Sequence, residues 1–174
     1  MADSKSDSII GGHFATNLAD IPLENQLWQY ACQVYSLAGV EAALLALQDD
    51  HGADINLILQ ALWLASEGQQ WTKECIPEDY SAWMDAQVLP LRQMRRSMKT
   101  EWVEKRGAQY EGFRQQVKKL ELKAEQYALG MLFLQSENFE KPISVLENKH
   151  FNLEAIANFF EIPEENFCVL RKMI

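Results

Sequence analysis

Cysteine is scarce in this chain, with three residues in 174. Cys32, Cys75 and Cys168 are odd in number and far apart, and no CxxC pair occurs. That excludes a disulfide scaffold and predicts reduced thiols in a cytoplasmic protein. The three histidines, His13, His51 and His150, include no two at metal-ligand spacing, so no metal and no cofactor are expected. Long apolar runs are also missing. None reaches the about 18 residues needed to cross a bilayer, and the run Ile55–Ala65 is interrupted by Asn56 and Gln60. The opening MADSKSDSIIGG holds one Lys, two Asp and no apolar core, so no secretory leader is expected. GxSxG, HExxH, P-loop and GxGxxG motifs are all absent. Period-two alternation, internal repeats and low-complexity segments are absent too, which leaves an all-α reading.

What is present is an acidic chain of ordinary globular composition. Hydrophobic residues make up 48% and charged residues 24%, and the net charge is −9. That charge excludes general nucleic-acid binding and membrane-surface binding. The average conceals a partition, however. Residues 88–123 carry ten Lys/Arg against four Asp/Glu, a local +6, while residues 1–87 sum to −11 and 124–174 to −4. A basic middle in an acidic chain either complements its own acidic parts or docks a partner.

The organisation reads as a loose leader over 1–19, a main helical domain over 20–138, and a C-terminal helical extension over 139–174 packed on it. Asp20 is expected to cap a first helix running to about Leu37, with Pro22 in its opening turn. A second helix, Val40–Asp50, ends at Gly52. Asp54 caps a third, Ile55–Ser66, closed by Gly68. The two apolar runs flanking Gln48–Asp54 are expected to be buried on every side. Pro77 starts a shorter helix through about Val88, and Pro90 opens a new one, because an interior proline costs about 3 kcal/mol. Leu91, Met94, Met98 and Trp102 form one stripe, and the helix bends or breaks near Gly107. Beyond it Tyr110, Phe113, Val117, Leu120, Ala124, Tyr127, Met131 and Leu134 step 3, 4, 3, 4, 3, 4, 3. This is a heptad seam, expected to be buried along its length or, around Phe113 and Val117, against a second copy. Arg114 and Glu121 occupy e positions beside it, and Gln116 and Lys123 g positions. Two short helices, about Leu153–Phe160 and Glu164–Met173, end the chain. The fold class is thus a helical bundle with one long heptad-patterned helix and a small C-terminal helical pair.

Leu27-Trp28, Gly39-Val40, Leu47-Gln48-Asp49, Gly52, Asp54-Ile55-Asn56-Leu57 and Leu62-Trp63-Leu64-Ala65 together resemble a family of small uncharacterised proteobacterial proteins. That family shows an LQD-x-x-G-x-D-[VI]-N-L block and an LWLA ending. The resemblance is specific over Leu27–Ala65 and looser to about Leu134. It implies a bacterial source and supplies no catalytic residue.

Two candidate sites follow from the residues themselves. Asp49, Asp50 and Asp54 resemble in composition the aspartate-rich boxes of isoprenoid synthases, but Gly52 ends the helix between them and no second box exists. Asp54 suits helix capping. Asp49 and Asp50 oppose their own helix dipole by about 0.3–1 kcal/mol each, so an Arg partner among Arg92, Arg95 and Arg96 is expected. Asn56 and Gln60, one turn apart, need partners, either the backbone or a polar pocket lined also by Trp28, Tyr35 and Trp63. The second candidate is the face Arg92, Arg95, Arg96 and Lys99, suited to a protein partner with an acidic surface. The terminal helix pair has the outline of a helix-turn-helix, but Glu164 and Glu165 would stand where base contacts are made. The leading functional expectation is an adaptor acting through the long basic helix, with homodimerisation as one form of it. The alternative is a small-molecule-binding protein or enzyme using the polar pocket; no catalytic residue is nominated.

Overall fold

The computed structural model describes residues 17–101, 107–138 and 148–172, and among them every regular element is helical, with no strand. The leader through residue 16, Trp102 and Met173 lie outside the described residues. No single described helix is long and apolar enough to cross a membrane.

The first helix, α1 (Gln26–Tyr35), starts later than Asp20. Asp20 ends a short 3₁₀ turn, Leu18–Asp20, and the true cap is Asn25, whose Oδ1 accepts from the Trp28 amide at 2.8 Å. Asn25 also donates to the Pro22 carbonyl at 2.7 Å, so one amide closes the loop and opens the helix. Helix α2 (Val40–His51) ends at Gly52, whose φ of 69° is the left-handed conformation that glycine adopts without strain. Asp54 then caps α3 (Ile55–Ser66), accepting from the Asn56 amide at 2.9 Å. The expected ends of both helices are borne out.

Helix α3 is buried from Ile55 to Ala65 on every side. Helix α2 is not: Val40, Leu44 and Leu47 face the core while Leu45 is 37% exposed. Its remaining surface is three alanines with Glu41, Gln48, Asp49, Asp50 and His51, and so gains less from burial. Around α3 lie α1, α2, the long helix α6 (Ala108–Ser136) and α7 (Asn148–Phe159). Leu153, Ile156 and Ala157 on α7, and Phe167 and Leu170 near and in α8 (Cys168–Arg171), belong to the same core. The terminal helices are thus part of the core that encloses α3.

The chain stays helical from α4 (Tyr80–Trp83) through a π turn (Met84–Val88) into α5 (Leu89–Thr100). Pro90 stands in the first turn of α5, as expected, but the helical chain before it runs into α5 without a break. The wider turn just before it takes up the ring, which would otherwise collide with a carbonyl four residues back. Beyond Gly107 the chain reverses, and α6 runs antiparallel to α5, with Tyr110 Oη donating to the Met98 carbonyl at 3.4 Å. The long basic segment is thus a folded-back pair of helices.

The heptad seam on α6 is only partly buried. Val117, Ala124 and Met131 are buried, but Phe113 is 49% and Leu120 59% exposed. The buried line of α6 passes through Val117, Glu121, Ala124, Ala128 and Leu132, mostly at i+4 steps. An i+4 line drifts around the helix relative to a 3-4 repeat, and α6 is covered by several neighbours, α5, α3, α1 and α4. Leu120→Ala is accordingly expected to cost less than about 1 kcal/mol, as at other surface positions. Leu132→Ala, at a fully enclosed site, should cost about 2–5 kcal/mol. Urea denaturation of the two variants checks this, and a large loss at Leu120 would mean that its surface is covered in solution.

Candidate functional site

Five helices leave a cleft of about 520 Å³ between them. Helix α1 supplies Trp28, Ala31, Cys32 and Tyr35, and α2 supplies Glu41, Leu45 and Gln48. Ile55, Asn56 and Leu59 form the floor from α3. The far wall is Arg92 and Arg95 from α5, with Lys118, Glu121, Leu122, Glu125 and Leu129 from α6. The two candidate sites of the sequence thus meet in one cleft, which holds Trp28, Tyr35 and Asn56 from one and Arg92 and Arg95 from the other.

The far wall is an ion-pair network. Arg92 Nη2 donates to Glu125 Oε1 at 2.6 Å, and its Nε stands 3.5 Å from Glu121. Arg95 embraces Glu121 with two nitrogens, Nη2 reaching Oε1 at 3.0 Å. The Glu121 side chain is 6% exposed and that of Arg92 13%. Burial opposes the charge on Arg92, but Glu125 and Glu121 more than offset it and hold its pKa above the usual value. The hydrogen bond that Arg95 donates to Glu121 does the same for Arg95. Burial raises the Glu125 carboxyl despite Arg92, and it pushes the Tyr35 hydroxyl opposite up to about 12. The Asn56 side chain donates to Met84 Sδ at 4.0 Å, a weak acceptor for a buried amide.

The remaining candidates lie elsewhere. Gln60 shares a helix face with Asn56 but points into the core, donating to Cys75 O at 3.0 Å, Leu132 O at 3.3 Å and Ser136 Oγ at 2.9 Å. Its carbonyl accepts from Trp71 Nε1 at 3.1 Å, so this amide is a structural joint. Trp63 packs on Phe133 with ring centroids 5.7 Å apart. Neither lines the cleft, which corrects the expected pocket. Asp54 is the α3 cap and accepts from Tyr80 Oη at 2.9 Å. Asp49 pairs with Arg96 outside the cleft, as the helix-dipole argument anticipated, and Asp50 is exposed. The Gln48 amide at 3.3 Å and then Arg96 hold the Asp49 carboxyl below its usual value. Lys99 is exposed in the last turn of α5.

Sequence reasoning named Glu121 only as a heptad flank and did not single out Glu125 or Leu45. The available signal was a pair of glutamates four apart on α6 beyond a glycine break, facing arginines three apart on α5. Among the described residues no group of three or more His, Cys, Asp or Glu could hold a metal ion.

Burial sets the balance at Asp54. Desolvation raises its carboxyl above the ordinary range, against the Tyr80 hydroxyl and the Asn56 amide. The folded protein therefore holds this proton more tightly than the unfolded chain. Stability from this group is complete below the unfolded value of about 3.9 and is lost as pH rises through the folded pKa. Asn keeps the cap without the charge. Asp54→Asn should match or exceed the parent at neutral pH, and its advantage should shrink toward pH 4. Asp54→Ala, which removes the α3 cap and the acceptor of the Tyr80 hydroxyl, should cost about 1–3 kcal/mol. Denaturation curves across pH decide between these, and an advantage for Asn that grows on acidification would refute the assignment.

The two kinds of ion pair differ by exposure. Asp49 and Arg96 side chains are 51% and 50% exposed, so their coupling in a double-mutant cycle should be at most about 1 kcal/mol. Arg95 with Glu121 should couple more strongly, up to about 3 kcal/mol. Equal couplings would show that the network is solvated.

A family model described as "Protein of unknown function (DUF2390)" matches residues 26–132, from the start of α1 to near the end of α6. Every lining residue of the cleft, Trp28 through Leu129, lies inside that span. No curated protein and no solved structure matches the chain. With more than half its length matched, the chain belongs to DUF2390, a family of unknown function.

Proposed function

We propose that this protein binds a small molecule in the cleft between α1, α2, α3, α5 and α6. The observation that carries the reading is the convergence there of an aromatic wall, Trp28 and Tyr35, with an enclosed Arg/Glu network. A volume of about 520 Å³ suits a small ligand. Apolar side chains with a few oriented polar groups are the usual composition of such sites. The basic-face adaptor reading loses support, because Arg92 and Arg95 are engaged by Glu121 and Glu125 and Arg96 by Asp49. Cys32 lines the cleft, but burial and then Glu24 raise its thiol pKa, which disfavours a nucleophile. The reading is therefore a binding protein, without a nominated reaction.

One observation favours a second reading, in which α6 docks a partner with an acidic surface or a second copy of the chain. Phe113 and Leu120 stand exposed two turns apart, among Arg114, Lys118 and Lys119. Light scattering over a range of concentrations tests the self-association form of it.

The cleft reading is tested by closing the mouth. Leu45 and Leu122 are 37% and 49% exposed, so tryptophan at both can obstruct the cleft without opening the core. Ligand-observed NMR with a library of neutral, anionic and cationic fragments should find binders for the parent. The Leu45→Trp/Leu122→Trp variant, with an unchanged melting temperature, should lose them. No binders to the parent, or the same binders in both, would end the proposal.

A further inference from the structure

The charges that line the cleft balance. Glu41, Glu121 and Glu125 stand against Arg92, Arg95 and Lys118, three of each sign. The inner four are also paired with one another: Arg92 with Glu125 at 2.6 Å and Glu121 at 3.5 Å, and Arg95 with Glu121. An anion entering among them competes with the glutamates for an arginine, and a cation competes with the arginines for a glutamate. Either way a pair already made is broken and a charge loses its partner. Glu41 and Lys118 are exposed, so an ion stopping at the rim gains only a solvated partner that salt screens. A neutral molecule breaks no pair.

The cleft also presents two uncharged polar groups that are not engaged. Asn56 is 5% exposed, and its Nδ2 is turned to Met84 Sδ. Its Oδ1 accepts from none of the described residues and is not sealed from solvent, so it opens on the cleft that Asn56 lines. The Tyr35 hydroxyl, half-buried across the cleft, likewise bonds to none of the described residues. Burial, with Glu125 and Glu41 behind it, pushes that hydroxyl up to about 12, so it stays uncharged at any working pH.

Resting on the cleft reading, we infer that the ligand is neutral: an aromatic ring system bearing an N–H or O–H group that donates to Asn56 Oδ1. The ring lies against Ile55 and Leu59 beside Trp28, where a flat, rigid body buries much surface at little cost in torsional freedom. The Tyr35 hydroxyl is the second polar contact. A bound donor gives the Asn56 oxygen the partner that a buried amide requires.

Five probes test this. Tryptophol, tryptamine and indole-3-acetate share a ring and a reach and differ in charge. Indole and benzofuran share a shape and differ by one N–H. The readout is protection of Cys32, which lines the cleft, from alkylation, in a Cys168→Ser background so that no other exposed thiol competes. Tryptophol should protect at concentrations about tenfold below those of tryptamine or indole-3-acetate, and indole about tenfold below benzofuran. Asn56→Leu, an apolar side chain of similar size, should erase the indole preference without weakening benzofuran. Leu45→Trp/Leu122→Trp should abolish protection by all five. Equal protection by tryptophol and either ion would overturn the neutral assignment and leave the cleft as a binding site. Indole no better than benzofuran in the parent, a comparison that needs no folded variant, would overturn the bond to Asn56, and so would an indole preference that survives Asn56→Leu. No protection by any of the five while other fragments bind the parent would overturn this inference alone. No protection together with no fragment binding would remove both.

Discussion

Helix α3 presents apolar surface in every direction, and water cannot be left on any side of it without loss. Ile55 to Ala65 are all buried, so the chain must provide cover around the full circumference. Helices α1, α2, α6 and α7 provide it. Such a helix satisfies its own backbone except at the ends, and its polar side chains must find partners inside. Asp54 closes the first end with Tyr80 behind it. Gln60 ties α3 to Cys75, Leu132 and Ser136, and Asn152 of α7 donates to the Ala61 carbonyl at 3.0 Å. These amides fix the register of the covering helices, because a slip would leave buried hydrogen-bonding groups unmatched.

The cover is incomplete on the side of α1, α2 and α5, and there the cleft opens. Arginine is poorly suited to fill an apolar gap, since its guanidinium must carry partners wherever it goes. Arg92 and Arg95 bring Glu121 and Glu125 with them, so the gap is walled by an ion-pair network instead of close-packed side chains. Such networks add little stability relative to well-packed apolar residues. A fold that retains one beside Trp28 and Tyr35 keeps a polar, shaped opening at the cost of a drier core. That is the physical reason to place function here, and not at the Asp49–Asp54 turn, where each carboxylate that departs from its usual value has a local structural partner.

The parts of this architecture that were legible in the sequence are the local ones. Gly52 and Asp54 announce a helix end and a helix start because capping is decided within a few residues. The apolar circumference of Ile55–Ala65 predicts burial from composition alone. Asp20 misled, because Asn25 competes for the same role with a better hydrogen bond at 2.8 Å, and nothing local ranks the two. The 3-4 stripe on α6 was misread for a different reason. Periodicity reveals that a helix has an apolar side, but not which neighbour covers each turn, and Leu120 falls beyond the cover. Glu121 shows the same limit, since it reads as a surface flank until α5 folds back and buries it under Arg95. The cleft itself depends on five segments meeting, so only its separate walls, Trp28/Tyr35/Asn56 and Arg92/Arg95, could be nominated beforehand.

The aromatic wall is held in place by a close approach that sequence reading would treat as a flaw. Gly130 sits inside α6, where glycine costs about 1 kcal/mol relative to alanine. A methyl group there would stand 2.3 Å from Ile21 Cγ2 and 3.3 Å from the Pro22 carbonyl. The missing side chain lets the segment before α1 lie directly on the helix. Gln126, one turn earlier, donates to the Leu23 carbonyl at 2.9 Å and to Glu24 at 2.8 Å, holding that segment down. Asn25 then starts α1 from a fixed point, with Trp28 one turn on and Tyr35 two turns beyond that. The position of the aromatic wall relative to the Arg/Glu wall is therefore set on α6 itself, by Gly130 and Gln126 at one end and Glu121 and Glu125 just before them. The aromatic and Arg/Glu walls are thus both referred to the same helix, and only the α2 wall, with Glu41, Leu45 and Gln48, is reached through the loop after α1.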